Sequence, residues 1–160
     1  MNHIISTKHD HKMHFTAEID RHKVVMDKSL SDGGDNAGPS PKKLMLAALT
    51  GCTAVDIVSI LNKMKVPFSN LSVDADAELT GEHTQVYSKV KVTYTIKLEP
   101  ENRPKMEKAV SLSAEKYCGM WFVRSPVLEE LLVLFIHRCA FPQFFETLGI
   151  RFKILLRENA

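Results

Sequence analysis

"GPSPKKLMLAALTGCTAVDIVSIL", residues 38–61, is the stretch of this chain that most strongly predicts structure. Ser40 is a favoured N-cap residue and Pro41 suits the first helical position, so we expect a helix that begins at Pro41 and ends near Lys65. Its apolar residues recur at spacings of three and four and also occupy most of the remaining helix surface. Because a helix that is apolar nearly all round is a buried helix, this segment is predicted to lie in the core of the fold.

Alternating apolar and polar residues predict strands on both sides of this helix. Four such segments form two predicted hairpins: MHFTAEI (13–19) with HKVVMD (22–27), and LSVDADAELT (71–80) with TQVYSKVKVTYTIKLE (84–99). Residues 28–41 collect Gly, Ser, Asp, Asn and Pro and predict a loop, while residues 104–118 predict a second core-facing helix. The order β, β, α, β, β, α lacks βαβ alternation, so we expect the α+β class with an antiparallel sheet.

The composition of the 160 residues is that of a soluble globular protein, with 44% hydrophobic and 25% charged residues. The net charge of +2 arises from 21 basic and 19 acidic side chains that are mixed along the chain, which argues against nucleic acid or an anionic membrane as a partner. The apolar stretch at residues 126–141 is interrupted by charged residues and falls short of a membrane span. We expect a core or interface helix there.

The cysteines and the N-terminal residues indicate the compartment. Three cysteines are too few, and odd in number, for a disulfide scaffold, and residues 1–15 hold no apolar run of signal-peptide length. The sequence therefore predicts a cytoplasmic protein. His9, His11 and His14 could bind a metal, but no Cys or carboxylate cluster completes a ligand set there. We expect a solvated segment, with no metal and no cofactor.

Cys52 follows Gly51 in the middle of the predicted helix, and its role has two interpretations. Free cysteine is most often a small buried hydrophobe. Gly51, however, removes side-chain bulk beside the thiol and leaves room for a close approach. Cys118 ends the second predicted helix, and the pair matches neither C-x-x-C nor a zinc pattern. Spacing alone leaves both interpretations open.

Two motifs resemble those of the OsmC-like family, which includes the organic hydroperoxide resistance proteins. They are the helix quoted above and VSLSAEKYCGMW (110–121), and they occur in the order that the family has. The resemblance runs from about Phe15 to Cys118 and is to the branch with an Asp four residues after the first cysteine, here Asp56. It implies an intertwined α+β homodimer, in which an antiparallel sheet packs on central cysteine-bearing helices and the active sites lie at the subunit interface.

The resemblance also implies a reaction. In characterised members the first cysteine attacks the peroxide and the second resolves the product, which corresponds to Cys52 and Cys118 here. Cys52 would attack an organic hydroperoxide, leaving an alcohol and a sulfenic acid, and Cys118 would condense with the sulfenic acid to a disulfide. An external dithiol, in the family typically a lipoyl group on a carrier protein, would reduce the disulfide. Asp56 could accept a proton or orient a partner side chain, or it could form a polar contact within the dimer.

The chain departs from the family pattern at the group that activates the thiol. Family members use an early-strand Arg held by the Glu of an SP-x-E-L motif, whereas SPKKL places Lys43 at the Glu position. Arg21 is the only arginine before the cysteine helix, so it is the candidate for the catalytic Arg, although IDRHK reads as a turn. A peroxide-attacking thiolate beside Asp56 needs such a cation, since burial and a carboxylate both raise a thiol pKa.

The second departure is the sequence after Cys118. We assign residues 1–118 to an OsmC-like domain and residues 119–160 to a divergent C-terminal part of the same domain. Within this tail, IRFKILL (150–156) predicts the closing strand, and Cys139 is predicted to be a packed thiol. The tail is either a lineage-specific helical insertion or the product of a shifted reading frame.

These observations lead to two functional hypotheses. The first is a cytoplasmic, homodimeric thiol peroxidase that reduces organic hydroperoxides. The alternative is a non-catalytic dimeric binding or structural module that keeps the fold and both thiols but has lost the Arg–Glu activation. Lys43 is the residue that supports the alternative.

Overall fold

The computed structural model describes residues 2–81, 85–122 and 151–156. The chain divides into two compact units, Met1–Ala47 and Ala48–Ala160. Helix α1 (Pro41–Lys63) begins in the first unit and ends in the second. The predicted core helix at 126–141 and Cys139 lie outside the described residues, and the division of the chain at residue 118 stays a prediction.

The first unit holds a three-stranded antiparallel sheet, with strands β1 (Ile5–His11), β2 (His14–Ile19) and β3 (His22–Met26) in that order. The predicted hairpin is confirmed as β2 and β3. Strand β1 lies in the segment that we expected to be solvated, and it was not predicted as a strand. All seven of its residues are exposed, so it has no apolar alternation from which a strand could be predicted.

The loop between β3 and α1 is organised around one carboxylate. Asp27 is only 1% exposed, and it accepts hydrogen bonds from the backbone N–H groups of Lys28, Asp35 and Ala37 at 2.7, 3.0 and 3.1 Å. Burial acts to raise the pKa of Asp27, but these three donors outweigh it and hold the pKa below its usual value. A Cβ on Gly34 would collide with the Lys28 carbonyl oxygen, which explains glycine at that position.

Helix α1 begins at Pro41, as predicted, and ends two residues before the expected Lys65. Lys65 adopts φ 55°, its N–H donates to the Asn62 carbonyl, and the Val66 N–H donates to the Leu61 carbonyl. This double hydrogen bond terminates a helix in a left-handed residue that is usually glycine. Because this position is a lysine and not a glycine, the sequence does not mark the residue at which the helix ends.

The second unit contains a three-stranded sheet of β4 (Ser69–Leu79), β5 (Tyr87–Lys97) and β6 (Arg151–Leu156), with β5 in the centre. Strands β4 and β5 are antiparallel, whereas β6 is parallel to β5. The α+β class and the antiparallel hairpins agree with the sequence prediction, and the closing strand is confirmed, but its direction differs from the purely antiparallel sheet that we expected. The long connection from β5 to β6, which includes helix α2 (Arg103–Leu112), provides the crossover that a parallel pair needs.

One hydrophobic core joins α1, β5 and α2. Alternate residues of β5 face it, and each helix contributes one apolar stripe. Its buried members include Leu49, Ile57, Ile60 and Leu61 of α1, Val92, Tyr94 and Ile96 of β5, and Met106, Ala109 and Val110 of α2. Each fully buried aliphatic side chain of this kind contributes about 1.5–3 kcal/mol to folding.

The other face of α1 is exposed in the single chain, contrary to the expectation of a helix buried all round. Ala48, Gly51, Val55 and Val58 form an exposed apolar stripe along it, and Val55 is 69% exposed. By length and composition, α1 is also the one described helix that could cross a membrane, a test that core helices of soluble proteins pass as well.

Candidate functional site

Two of the predicted site residues lie on consecutive turns of α1. Cys52 and Asp56 are four residues apart, so their side chains project from the same face of the helix. Both are partly buried, and Cys52 packs against the hydrophobic core. Apart from its chain neighbours and the backbone of its own helical turns, no described atom lies within 4 Å of the position that a Cβ of Gly51 would occupy, so the helix surface beside the thiol is open in the single chain.

The third residue, Cys118, comes from the end of the second helical segment. Helix α2 continues into a π-helical turn (Ser113–Tyr117), where we had expected regular helix to residue 118. Cys118 leaves this turn in extended conformation, and its N–H donates to the Ser113 carbonyl at 2.8 Å. The wider turn places a fully buried thiol against α1. Single π-helical turns of this kind are frequent at functional sites.

The structure brings Cys52, Asp56 and Cys118 together. Their two sulfur atoms and a carboxylate oxygen all lie within 4.8 Å of one another. Arg21 and Lys43 belong to the first unit, where both are exposed, Arg21 in the turn between β2 and β3 and Lys43 in the first turn of α1. Their roles stay predictions.

Each member of this triad accepts a hydrogen bond from a neighbouring donor. The Thr53 hydroxyl donates to Cys118 Sγ at 3.6 Å, the Ser113 hydroxyl donates to Asp56 Oδ2 at 2.9 Å, and the Met120 backbone N–H donates to the Cys52 sulfur. All three groups are therefore held by donors that do not belong to the triad. The Tyr94 side chain of β5 is also buried, and its hydroxyl interacts with Thr53.

Sequence reasoning did not identify these donors. Thr53 is a polar residue in the buried stripe of α1, between Leu49 and Ile57, and Ser113 continues the buried stripe of α2 after Met106 and Ala109–Val110. For both residues, a hydroxyl side chain at a helix position where an apolar residue is expected was the sequence feature that could have indicated a buried hydrogen-bond donor. The Met120 contact uses a backbone N–H, so the identity of the side chain at position 120 could not have predicted it.

The site raises the pKa of its partly buried thiol, Cys52. Burial is the main cause for Cys52, followed by the hydrogen bond and the negative charge of Cys118 and by the charge of Asp56, while the Met120 N–H acts in the opposite direction. Burial likewise raises the pKa of Tyr94, with further contributions from the charges of Cys118 and Asp56. Within the second unit, therefore, Cys52 is held mainly as a neutral thiol, and its ionisation requires positive charge from elsewhere.

This arrangement supports two kinds of chemistry. The adjacent thiols can be oxidised to a disulfide after a small movement, because an S–S bond is about 2 Å long. Two sulfurs and a carboxylate oxygen are also metal-binding groups, and among the described residues this is the cluster in which three such groups meet.

The N-terminal histidines are arranged differently. His11 Nε2 lies 3.1 Å from Asp35 Oδ2, and His14 Nδ1 lies 2.9 Å from Asp10 Oδ2. The two imidazole rings stack with centroids 4.8 Å apart, and all of these groups lie at or near the surface. Each ring has its own carboxylate partner, so the contacts explain these histidines as parts of the first sheet.

Comparison with known proteins adds both sequence and fold relatives. A family model described as OsmC-like protein matches residues 33–123. Protein YhfA of Escherichia coli K12 is 32% identical over 99 residues, which are 62% of this chain and 71% of that protein.

Two solved structures illustrate the fold. A hypothetical protein from Aquifex aeolicus superposes with a TM-score of 0.71 at 16% identity, covering 98% of this chain and 97% of that one. An organic hydroperoxide resistance protein from Elizabethkingia anophelis superposes with a TM-score of 0.59 at 12% identity, covering 99% of both chains. At these identities the two structures establish a shared fold.

Proposed function

Since this chain belongs to the family of OsmC-like proteins, we propose that it is a thiol-dependent peroxidase that reduces organic hydroperoxides. Family membership supports a peroxide-related redox role in general. The observation that carries the specific proposal is the convergence of Cys52 and Cys118, which lie far apart in sequence, on one partly buried site. Both cysteines lie in the two motifs that resemble the OsmC-like family, and both fall within residues 33–123, the range that the family model matches.

The proposed reaction consumes one hydroperoxide and two thiols. The Cys52 thiolate attacks the distal oxygen of ROOH, the O–O bond breaks, and the departing alkoxide takes a proton to give ROH. Cys52 is left as a sulfenic acid. The Cys118 sulfur then attacks the Cys52 sulfur, and water leaves as the disulfide forms. An external dithiol, such as a lipoyl group, reduces the disulfide by thiol–disulfide exchange.

The neighbouring groups have distinct parts in this scheme. The Met120 N–H stabilises the Cys52 thiolate, and the Thr53 hydroxyl orients Cys118 for the second step. Asp56, fixed by Ser113, accepts the proton that Cys118 releases as it attacks. Arg21 is the proposed source of the positive charge that Cys52 requires.

We propose that the active form is a soluble, cytoplasmic homodimer. The exposed apolar stripe of α1 supports this assembly, because Val55 and its neighbours leave a helix face uncovered beside the cysteine turn. A second copy on this stripe would shield Cys52 from water and supply further groups to the site.

The alternative is a non-catalytic module with the same fold. The surroundings of Cys52 favour it: the thiol is partly buried and lies within 4.8 Å of the Asp56 carboxylate, and burial and this charge raise its pKa, whereas the thiolate is the form that attacks peroxide. Lys43 at the position of the family Glu points in the same direction.

Stopped-flow measurement of cumene hydroperoxide consumption, with dihydrolipoamide as the reductant, distinguishes the two functions. A peroxidase turns over repeatedly, loses all turnover in Cys52→Ser, and keeps full turnover in Cys139→Ser, which serves as the matched control. A reduced, folded wild type that consumes no more peroxide than Cys52→Ser would leave the non-catalytic module as the function.

A further inference from the structure

The Cys52–Asp56–Cys118 triad has a surplus of acceptor groups. Two thiols and a carboxylate meet within 4.8 Å, and each of the three also accepts a hydrogen bond from a donor that is not a member of the triad. Once the thiols ionise, three negative groups face a common centre. A cation at that centre would satisfy all three at once.

The ligand chemistry selects the kind of cation. Thiolates favour thiophilic ions such as Zn²⁺ over Mg²⁺ or Ca²⁺, and a carboxylate is an accepted third ligand for zinc. Zinc lies about 2.3 Å from sulfur and about 2.1 Å from oxygen, so the ligand atoms of a tetrahedral site are within about 4 Å of one another. The triad reaches this geometry when its side chains close by about 1 Å.

The hydrogen-bond donors around the triad correspond to those that orient the ligands in known zinc sites. Metal-bound thiolates and carboxylates are commonly held by hydrogen bonds that fix their orientation. Here the Met120 N–H donates to one sulfur, the Thr53 hydroxyl donates to the other, and the Ser113 hydroxyl donates to Asp56 Oδ2, so each proposed ligand residue has such a partner.

We propose that the reduced protein binds one Zn²⁺ through Cys52 Sγ, Cys118 Sγ and an Asp56 carboxylate oxygen, with water in the fourth position. Binding changes no oxidation state: the two thiols release their protons to solvent as the metal–sulfur bonds form. The metal site does not depend on peroxidase activity. One consequence does rest on the proposed function, namely that the zinc-bound site is inactive toward peroxide because both sulfurs are held on the metal.

Cobalt titration tests the site directly. Co²⁺ added to protein reduced with a phosphine should produce thiolate-to-cobalt charge-transfer absorption that saturates at one equivalent, with visible bands of tetrahedral intensity. Zn²⁺ should then displace the cobalt and abolish both. If the reduced wild type develops no charge-transfer absorption at one equivalent of Co²⁺, the proposal is wrong.

Variants assign the ligands. Cys52→Ser and Cys118→Ala should each reduce the charge-transfer absorption to about half or less, and Asp56→Asn should retain the absorption but weaken binding. Ser113→Ala should weaken binding by about tenfold, as expected for a group that only orients a ligand. Circular dichroism of each metal-free variant checks folding, and Asp56→Asn and Ser113→Ala still test the site if a cysteine variant does not fold.

Two controls separate this site from other metal-binding groups. Cys139→Ser and the double variant His11→Ala/His14→Ala should bind cobalt like the wild type, and loss of the absorption in either one contradicts the proposal. Because these titrations contain no peroxide, they succeed or fail independently of turnover. If turnover is observed, one equivalent of Zn²⁺ should suppress it and a chelator should restore it.

Discussion

The two thiols of the site differ in their surroundings, and the difference fits two different chemical steps. Cys52 is partly exposed on a helix whose backbone is open at Gly51, whereas Cys118 is fully buried and held by Thr53. A peroxide can reach the first thiol more easily than the second. The second is placed to react only with a sulfur that has already been oxidised.

From this difference we predict that one equivalent of an organic hydroperoxide links Cys52 to Cys118 and leaves Cys139 free. Peptide mapping after alkylation of the remaining thiols measures the connectivity. A bridge that contains Cys139 would reassign the resolving thiol to the tail.

A second prediction concerns Lys43, where the chain departs from the family pattern. A lysine in place of the family Glu repels the activating Arg instead of fixing it, so slow turnover is expected of the wild type. Lys43→Glu should raise kcat/KM for organic hydroperoxides by at least tenfold, which corresponds to about 1.4 kcal/mol of barrier. Steady-state kinetics measure the change.

Lys42→Glu is the matched control for that experiment, because it makes the same charge change one residue away. Residue 42 does not correspond to the family Glu, so Lys42→Glu changes only the general electrostatic potential. Because salt screens such an effect, kcat/KM should stay within about twofold of the wild type. Equal gains in both variants, or a fast wild type, would show that Lys43 is not the cause of slow turnover.

At the scale of elements, the Asp27 loop connects the first sheet to the cysteine helix. Its carboxylate has a lowered folded-state pKa, because three backbone donors outweigh the effect of burial. A lowered pKa stabilises the fold above the unfolded pKa of about 4, and this contribution is lost as the pH falls through the folded value.

We therefore predict that Asp27→Asn lowers the melting temperature at pH 7 and flattens its decrease toward acid. Thermal unfolding measured at a series of pH values from neutral to about 3 should show the two curves converging at low pH. Asp32→Asn, an exposed position in the same loop, should change little at pH 7. A constant offset between wild type and Asp27→Asn at every pH would contradict the proposed origin of the effect.

The elements that could be predicted from sequence are those whose signals are local. Ser40 and Pro41 fix the start of α1, and alternation gives β2 to β5. Strand β1 has only exposed side chains, the direction of β6 depends on a partner far away in sequence, and the π-helical turn differs from α-helix by a shift of hydrogen bonds. None of these three leaves a periodic pattern.

In the site, too, some features could be predicted from local sequence and others depend on tertiary structure. Its cysteines and Asp56 are found from motifs, but their approach depends on tertiary packing between α1 and the end of the second helical segment. Thr53 and Ser113 enter the site for the same reason, since nothing in their immediate sequence specifies which sulfur or carboxylate they face.

At the scale of the whole molecule, α1 raises the question of assembly. Its apolar stripe remains exposed in one chain, and apolar surface of this kind in a soluble protein marks an interaction site. We predict that the wild type sediments as a dimer at micromolar concentration, and that Val55→Asp weakens the dimer by at least tenfold because it places a carboxylate in the buried contact.

Sedimentation equilibrium measures both dissociation constants. Lys108→Asp, on the exposed surface of α2, is the control for a change of charge and should sediment like the wild type. A folded wild-type monomer at micromolar concentration would contradict the dimer.

The parallel pairing of β6 with β5 has a consequence for biosynthesis. During translation, β4 and β5 emerge and can pair early, but one edge of β5 stays open until Arg151–Leu156 have been made. An open strand edge is a template for pairing with other chains, and contacts between distant segments form slowly. The nascent chain therefore passes through an aggregation-sensitive interval after its cysteine motifs are complete, and chaperone binding would be most useful there.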